Sequence, residues 1–186
     1  MSNLISDYYK IVEFDDELKT LLSHIDLSEI TWTDDDGNSN ESYKKNNTFS
    51  KHILTTAQTI ISEKYLCNYY HDVIPCESKV IRGITDKVLE WHNDRTACME
   101  EINKKLVPDH NLLCLFYFNT MNEGGVSIWN KFSDPKQKQV VTFMPKIGQL
   151  IFLNETNPNI VHKVHTYNKS IARYIARFSY NVKGIK

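Results

Sequence analysis

From Lys79 onward the sequence breaks into eight short β-prone runs, and that punctuation constrains the fold more than any other feature. The runs are Lys79–Gly83, Val88–Asn93, Asn111–Asn119, Val126–Asn130, Gln139–Phe143, Gln149–Asn154, Val161–Thr166 and Ile171–Val182. Each is rich in β-branched or aromatic residues, and Gly, Pro, Asn or Asp clusters separate them. Many short strands with regular turn signals pack as two facing sheets.

The first 75 residues read differently. Asp7 to Leu27 places Tyr8, Ile11, Val12, Leu18, Leu21, Leu22 and Ile25 at roughly helical spacing. Asn47 to Tyr70 carries Ile53, Leu54, Ala57, Ile60, Ile61 and Leu66 behind a Thr48 or Ser50 cap, the strongest helical pattern in the chain. Between them, Thr33 to Ser50 is polar and predicts a loop. Its Asp34-Asp35-Asp36-Gly37-Asn38 cluster lacks the ligand spacing of a calcium-binding loop. The expectation is a single domain over 1–186. A helical layer over 1–75, with polar loop 33–50, would cover a β core over 76–186. That core would be a double-stranded β-helix, a jelly roll of cupin-like form, with the helices on the outside of one sheet.

Composition excludes several classes. With 186 residues, 41% hydrophobic and 24% charged, the chain suits a soluble globular domain with a sizeable core. No run approaches the ~18 apolar residues of a membrane span. Met1-Ser2-Asn3-Leu4-Ile5-Ser6-Asp7 has no basic region and no apolar signal core. Cys67, Cys76, Cys98 and Cys114 show no metal-ligand spacing. Reduced cysteines and a cytoplasmic location are therefore expected. Charge is uneven: residues 1–100 hold 10 Lys/Arg against 18 Asp/Glu, and residues 101–186 hold 12 against 5. The basic residues of the second half are scattered singly. This favours an acidic layer beside a basic core over a nucleic-acid surface.

One constellation carries chemistry. In Glu90-Trp91-His92-Asn93-Asp94, His92 and Asp94 are two apart on an extended segment and share a face. A distant third histidine completes a 2-His-1-carboxylate set, which holds Fe(II) and leaves neighbouring positions open. His162 and His165 compete for that place. They are three apart, so on a regular strand they face opposite ways. His24, His52, His71 and His110 read as ordinary polar residues.

The surroundings of these residues resemble the Fe(II)/2-oxoglutarate-dependent dioxygenases, in their prolyl-4-hydroxylase-like branch. The resemblance runs through five ordered blocks between about Lys79 and Val182. They are Trp91-His92-Asn93-Asp94, Leu113–Asn119, Asn122-Glu123-Gly124-Gly125, Phe143–Phe152, and His162-Lys163-Val164 leading to Arg173-Tyr174. It implies that His92, Asp94 and His162 are the metal ligands, with His162 preferred over His165 because it opens the His-x-Val unit. It also implies a cation for the distal carboxylate of 2-oxoglutarate. Arginine suits that task because its planar fork grips a carboxylate bidentately. Arg173, eleven residues after His162, is the first choice. Arg177, in an Arg177-Phe178-Ser179 unit like the Arg-x-Ser of other branches, is the second. Tyr117 matches the family tyrosine that bonds the same carboxylate; a core tyrosine is the alternative. Trp91 and Trp129 suit packing better than substrate stacking. Gly124-Gly125 suits a turn that needs positive φ.

The implied activity needs Fe(II), 2-oxoglutarate and O2, with ascorbate as an auxiliary reductant, and yields succinate and CO2. Retention of Asp94 points to hydroxylation or demethylation instead of halogenation. A protein or peptide side chain such as proline is the first substrate expectation. A small molecule or nucleobase is the second, and a non-catalytic cupin-like metal binder the third.

Overall fold

The computed structural model describes residues 9–12, 15–35, 38–43, 48–83, 89–92, 110–130, 141–155, 159–165 and 172–186. Eleven strands are described: β1 (Tyr9–Val12), β2 (Thr33–Asp35), β3 (Asn38–Tyr43), β4 (Tyr70–Gly83), β5 (Leu89–His92), β6 (Leu112–Tyr117), β7 (Val126–Asn130), β8 (Val141–Phe143), β9 (Leu150–Asn154), β10 (Ile160–Val164) and β11 (Arg173–Ile185). Two helices, α1 (Asp16–Leu22) and α2 (Thr48–Ile61), accompany them, and a π-helical turn over Ser62–Leu66 extends α2. The large sheet has the order β1-β9-β6-β11-β4-β3-β2 and the small sheet β5-β10-β7-β8. All pairings are antiparallel. The two sheets face each other across a shared apolar layer, which is the expected double-stranded β-helix.

Strands buried on both faces read as unbroken apolar runs, and β6 and β9 do so. Leu112, Cys114 and Phe116 of β6 and Leu150 and Phe152 of β9 pack with Leu18, Leu22, Ile53, Leu54, Ala57 and Ile61 of the helices. Leu113, Leu115, Tyr117, Ile151 and Leu153 turn the other way and meet Val126, Ile128, Phe143 and Ile160 of the small sheet. Asn111 and Asn119 bracket β6. The Asn111 amide donates to the Val182 carbonyl at 2.9 Å, and its oxygen accepts from the Val182 N–H at 2.8 Å. At the other end, the Asn119 amide donates to the Ala172 carbonyl at 2.9 Å and accepts from the Tyr174 N–H at 3.0 Å. Two side-chain amides thus continue the β6–β11 ladder beyond the strand itself.

The N-terminal third departs from expectation. The single helix expected over Asp7–Leu27 is a strand, β1, followed by the short helix α1. Tyr9-Lys10-Ile11-Val12 pairs with β9, Ile11 opposite Ile151, because the edge of the large sheet offers main-chain partners and β-branched residues suit a strand. Helix α1 starts afresh at a buried Asp15 cap, whose carboxylate accepts from the Leu18 N–H at 3.0 Å. Lys64 lies 2.8 Å from the same carboxylate and the Tyr65 hydroxyl donates to it, so the π-helical turn clamps α1. Burial raises the Asp15 carboxyl, but hydrogen bonds from Lys64, Tyr65 and Leu18 outweigh that and hold it below its ordinary value.

The expected loop over 33–50 is likewise corrected. It contains the hairpin β2–β3, and β3 pairs with β4 from Asn40 opposite Gly83 to Tyr43 opposite Val80. Polar composition concealed this because main-chain bonding to a long neighbour, not side-chain burial, recruits an edge strand. The Asp36-Gly37 dipeptide between the two strands is the hairpin signal in the sequence. Strand β4 starts at Tyr70, nine residues earlier than the run expected at Lys79, and so crosses the expected 75/76 boundary. No helix among the described residues is long and apolar enough to cross a membrane.

Candidate active site

His162 lies on β10 opposite Ile128 of β7 on one side and His92 of β5 on the other. Directly opposed residues share a face, and Ile128 belongs to the layer between the sheets. Both histidines therefore face the interior. Their ring centroids are 4.2 Å apart with planes inclined at 56°. His162 is only 7% exposed. Asp94, the third expected ligand, lies outside the described residues.

The residues between the two histidines' parity positions face away. Trp91 and Trp129 meet edge to face at 5.8 Å, and the Lys163 ammonium sits 5.6 Å from the Trp91 ring. Both tryptophans thus pack on the outer face of the small sheet, away from His162. His165 also takes the outer side: its Nε2 is 2.6 Å from the Ser127 hydroxyl, which is 2.7 Å from the Thr142 hydroxyl. Its backbone N–H donates to the Gly125 carbonyl at 2.9 Å. The structure brings His162, not His165, to His92.

Sequence reasoning missed Glu155. Its carboxylate Oε1 is 3.3 Å from His162 Nδ1, and it is 1% exposed. Glu155 continues the inward parity of Ile151 and Leu153 at the end of β9, and its backbone N–H donates to the Asn111 carbonyl at 2.9 Å. The sequence signal was a carboxylate at a core-facing position directly after an apolar strand.

Arg173 opens β11 and is 4% exposed. Ile175, two residues on, pairs with Tyr117 and Ile81 and lies in the layer between the sheets. Arg173 therefore points inward as a diagonal neighbour of Tyr117. Burial raises the Tyr117 hydroxyl above its ordinary value, and the Arg173 charge partly opposes that rise. The phenol stays a protonated donor. Asn119 grips Ala172 and Tyr174, the two backbone neighbours of Arg173. Arg173 Nη1 donates to the Gly124 carbonyl at 3.4 Å. Gly124 has φ 74°, which a side chain would disfavour. Gly125 is needed for closeness instead: a Cβ there would stand 2.6 Å from the Phe143 carbonyl oxygen.

Arg177 shares the inward face, opposite Leu115, four residues and about 13 Å along the strand from Arg173. Its Nη2 lies 3.4 Å from Nε2 of the buried His110. The Ser179 hydroxyl bonds both backbone groups of Glu77 at 3.0 Å, where β4 and β11 slip register. The structure thus engages Ser179 with β4 and does not bring it to Arg173 and Tyr117.

A metal fits what is described. Two imidazoles converge on one interior face, and a carboxylate on Nδ1 of His162 assigns Nε2 as the atom that would face an ion. A buried guanidinium and a protonated phenol stand near each other on the facing sheet, suited to an anion such as a carboxylate.

No protein-family model and no curated protein sequence matches the chain. Solved structures do. HygX from Streptomyces hygroscopicus, with nickel and 2-oxoglutarate bound, superposes with a TM-score of 0.67 at 12% identity, over 97% of this chain and 85% of that one. A Pseudomonas putida prolyl-4-hydroxylase gives 0.60 at 12% identity, over 97% and 96% of the two chains. A 2OG-Fe(II) oxygenase family oxidoreductase from Burkholderia pseudomallei gives 0.64 at 12% identity, over 94% and 84%. At such identities the likeness speaks for architecture, and on it the chain has the double-stranded β-helix fold of the 2-oxoglutarate/Fe(II) oxygenases.

Proposed function

We propose that this protein is an Fe(II)- and 2-oxoglutarate-dependent dioxygenase that hydroxylates its substrate and releases succinate and CO2. The carrying observation is the pairing of His92 with His162 on the interior face, with buried Arg173 and Tyr117 on the sheet opposite. His92, Asp94 and His162 would hold the iron. When bound, the iron supplies the chemistry that couples oxidative decarboxylation of 2-oxoglutarate to oxygen insertion into a substrate C–H bond. Arg173 binds the distal carboxylate of 2-oxoglutarate through its fork, and Tyr117 donates a hydrogen bond to the same group. Enclosure of both between the sheets excludes water and strengthens the ion pair.

For substrate, the reading is a protein or peptide side chain, proline first. The likeness to the prolyl-4-hydroxylase spans nearly the whole of both chains. A small-molecule substrate is the second reading, favoured by HygX, another structure of which holds nickel, 2-oxoglutarate and hygromycin B. The test starts with an anaerobic 2-oxoglutarate titration of the Fe(II) protein. A visible metal-to-ligand charge-transfer band is expected, and its absence overturns the reading. Peptides and small molecules are then compared for a gain of one oxygen matched by succinate. Oxygen gain on prolyl peptides alone supports the first substrate class. Gain on small molecules alone replaces it with the second.

A further inference from the structure

We propose that Glu155 is a positioning residue for the metal: its carboxylate keeps the His162 ring proton on Nδ1 and so presents Nε2 to the ion. The inference rests on the metal-site reading above and extends it to a residue outside the ligand set.

Three observations carry it. Glu155 Oε1 is 3.3 Å from His162 Nδ1, with both side chains nearly excluded from solvent. A neutral imidazole has one N–H, and an acceptor beside one nitrogen draws the proton there. The carboxylate is also held on a rigid element. Strand β9 is buried along its whole length, and the Glu155 N–H is tied to Asn111, whose side chain locks β6 to β11. Finally, the contact joins the two sheets, since Glu155 directly follows β9 of the large sheet and His162 sits in the small one. The carboxylate therefore fixes both the tautomer of the ring and its orientation relative to Arg173 and Tyr117. An anionic acceptor also makes the ring a stronger donor to a metal.

The test uses the full chain without turnover. Co(II) is titrated into metal-free protein and followed by its visible ligand-field bands, with thermal melting recorded alongside. Glu155→Leu keeps similar bulk without an acceptor and should weaken Co(II) binding by about 10–100-fold. Glu155→Gln keeps an acceptor and should bind within about threefold of the unmodified chain. Long-range nitrogen–proton NMR of metal-free protein at mildly alkaline pH should show His162 protonated on Nδ1. This readout needs no variant, so it stands even if Glu155→Leu fails to fold. Equal Co(II) affinity in all three proteins overturns the inference, as does equal loss in both variants or an Nε2-protonated His162. An unmodified chain that binds no Co(II) overturns the metal-site reading itself, and the inference with it.

Discussion

Strand β11 has two faces with opposite chemistry. Ala176, Phe178 and Tyr180 point outward into the layer beneath α1 and α2, and all three are buried among apolar groups. Arg173, Ile175, Arg177 and Ser179 point inward, where only Ile175 is apolar. The outward face is a core like any other. The inward face places charged and hydroxyl groups where burial is costly unless each has a partner. Ser179 has Glu77, Arg177 has His110, and Arg173 has Gly124 with Tyr117 nearby. Stability is concentrated on one side of a single strand and the proposed ligand chemistry on the other. Substitutions on the two faces should therefore fail in different assays.

The largest expected effect lies across from β11. His162→Ala should abolish both Fe(II) retention and 2-oxoglutarate turnover, because the proposed three-ligand site loses one donor. His165→Ala, which loses the bond to Ser127, should keep most of both. Iron stoichiometry and succinate yield measured on the two proteins decide this, and the reverse pattern would exchange the roles of the two histidines.

Phe178→Ala tests the outward face. It empties a fully buried ring site and should cost about 3–5 kcal/mol, a fall in Tm on the order of 10 °C. The 2-oxoglutarate affinity of the folded fraction should not change. A large loss of affinity at full stability would show that the two faces are not independent.

Arg173→Ala tests the inward face. If Arg173 holds 2-oxoglutarate as proposed, its removal leaves the buried carboxylate unpaired, and affinity should fall at least about a hundredfold. Arg173→Lys should recover part of it, since the charge returns without the fork. Arg177→Ala should stay within a few-fold. Titration of the anaerobic Fe(II) protein distinguishes them, and a greater loss at Arg177 would move the carboxylate site down the strand.

The smallest effect concerns the helical layer that covers the outward face. Asp15 titrates below its ordinary value in the folded chain, held down chiefly by Lys64 and Tyr65 against the opposing effect of burial. A depressed carboxyl adds stability above its unfolded pKa of about 3.9 and loses it as pH falls through the folded value. Asp15→Asn should thus destabilise the chain by about 1–2 kcal/mol at neutral pH, from weakened bonds to Lys64 and Tyr65. The difference should shrink as pH falls below the unfolded value and through the lowered folded one. Urea denaturation across pH 2.5–7 measures it, on the scale of about 1 kcal/mol that such bonds carry. A constant difference across that range would remove Asp15 from the acid response.

Much of this was legible in the sequence because it depends on local periodicity. Parity alone puts Leu113, Leu115 and Tyr117 on one face of β6, separates His162 from His165, and aligns Arg173 with Arg177. Helix α2 announces itself through Ile53, Leu54, Ala57 and Ile61. The sequence by itself therefore determined the β core, its strand phases and which residues are candidates for the site. Only the tertiary structure decided which candidates meet. It placed His92 in register with His162, set Glu155 against His162 from the other sheet, and drew Tyr9–Val12 and the polar 33–43 segment into the large sheet. It also engaged Ser179 with a register slip in β4. The physical reason is the same in each case. Strand phase is set by neighbouring residues along the chain, whereas pairing partners and cross-sheet contacts are set by main-chain hydrogen bonds and packing between segments far apart in sequence. Side-chain pattern along one segment carries no record of those contacts.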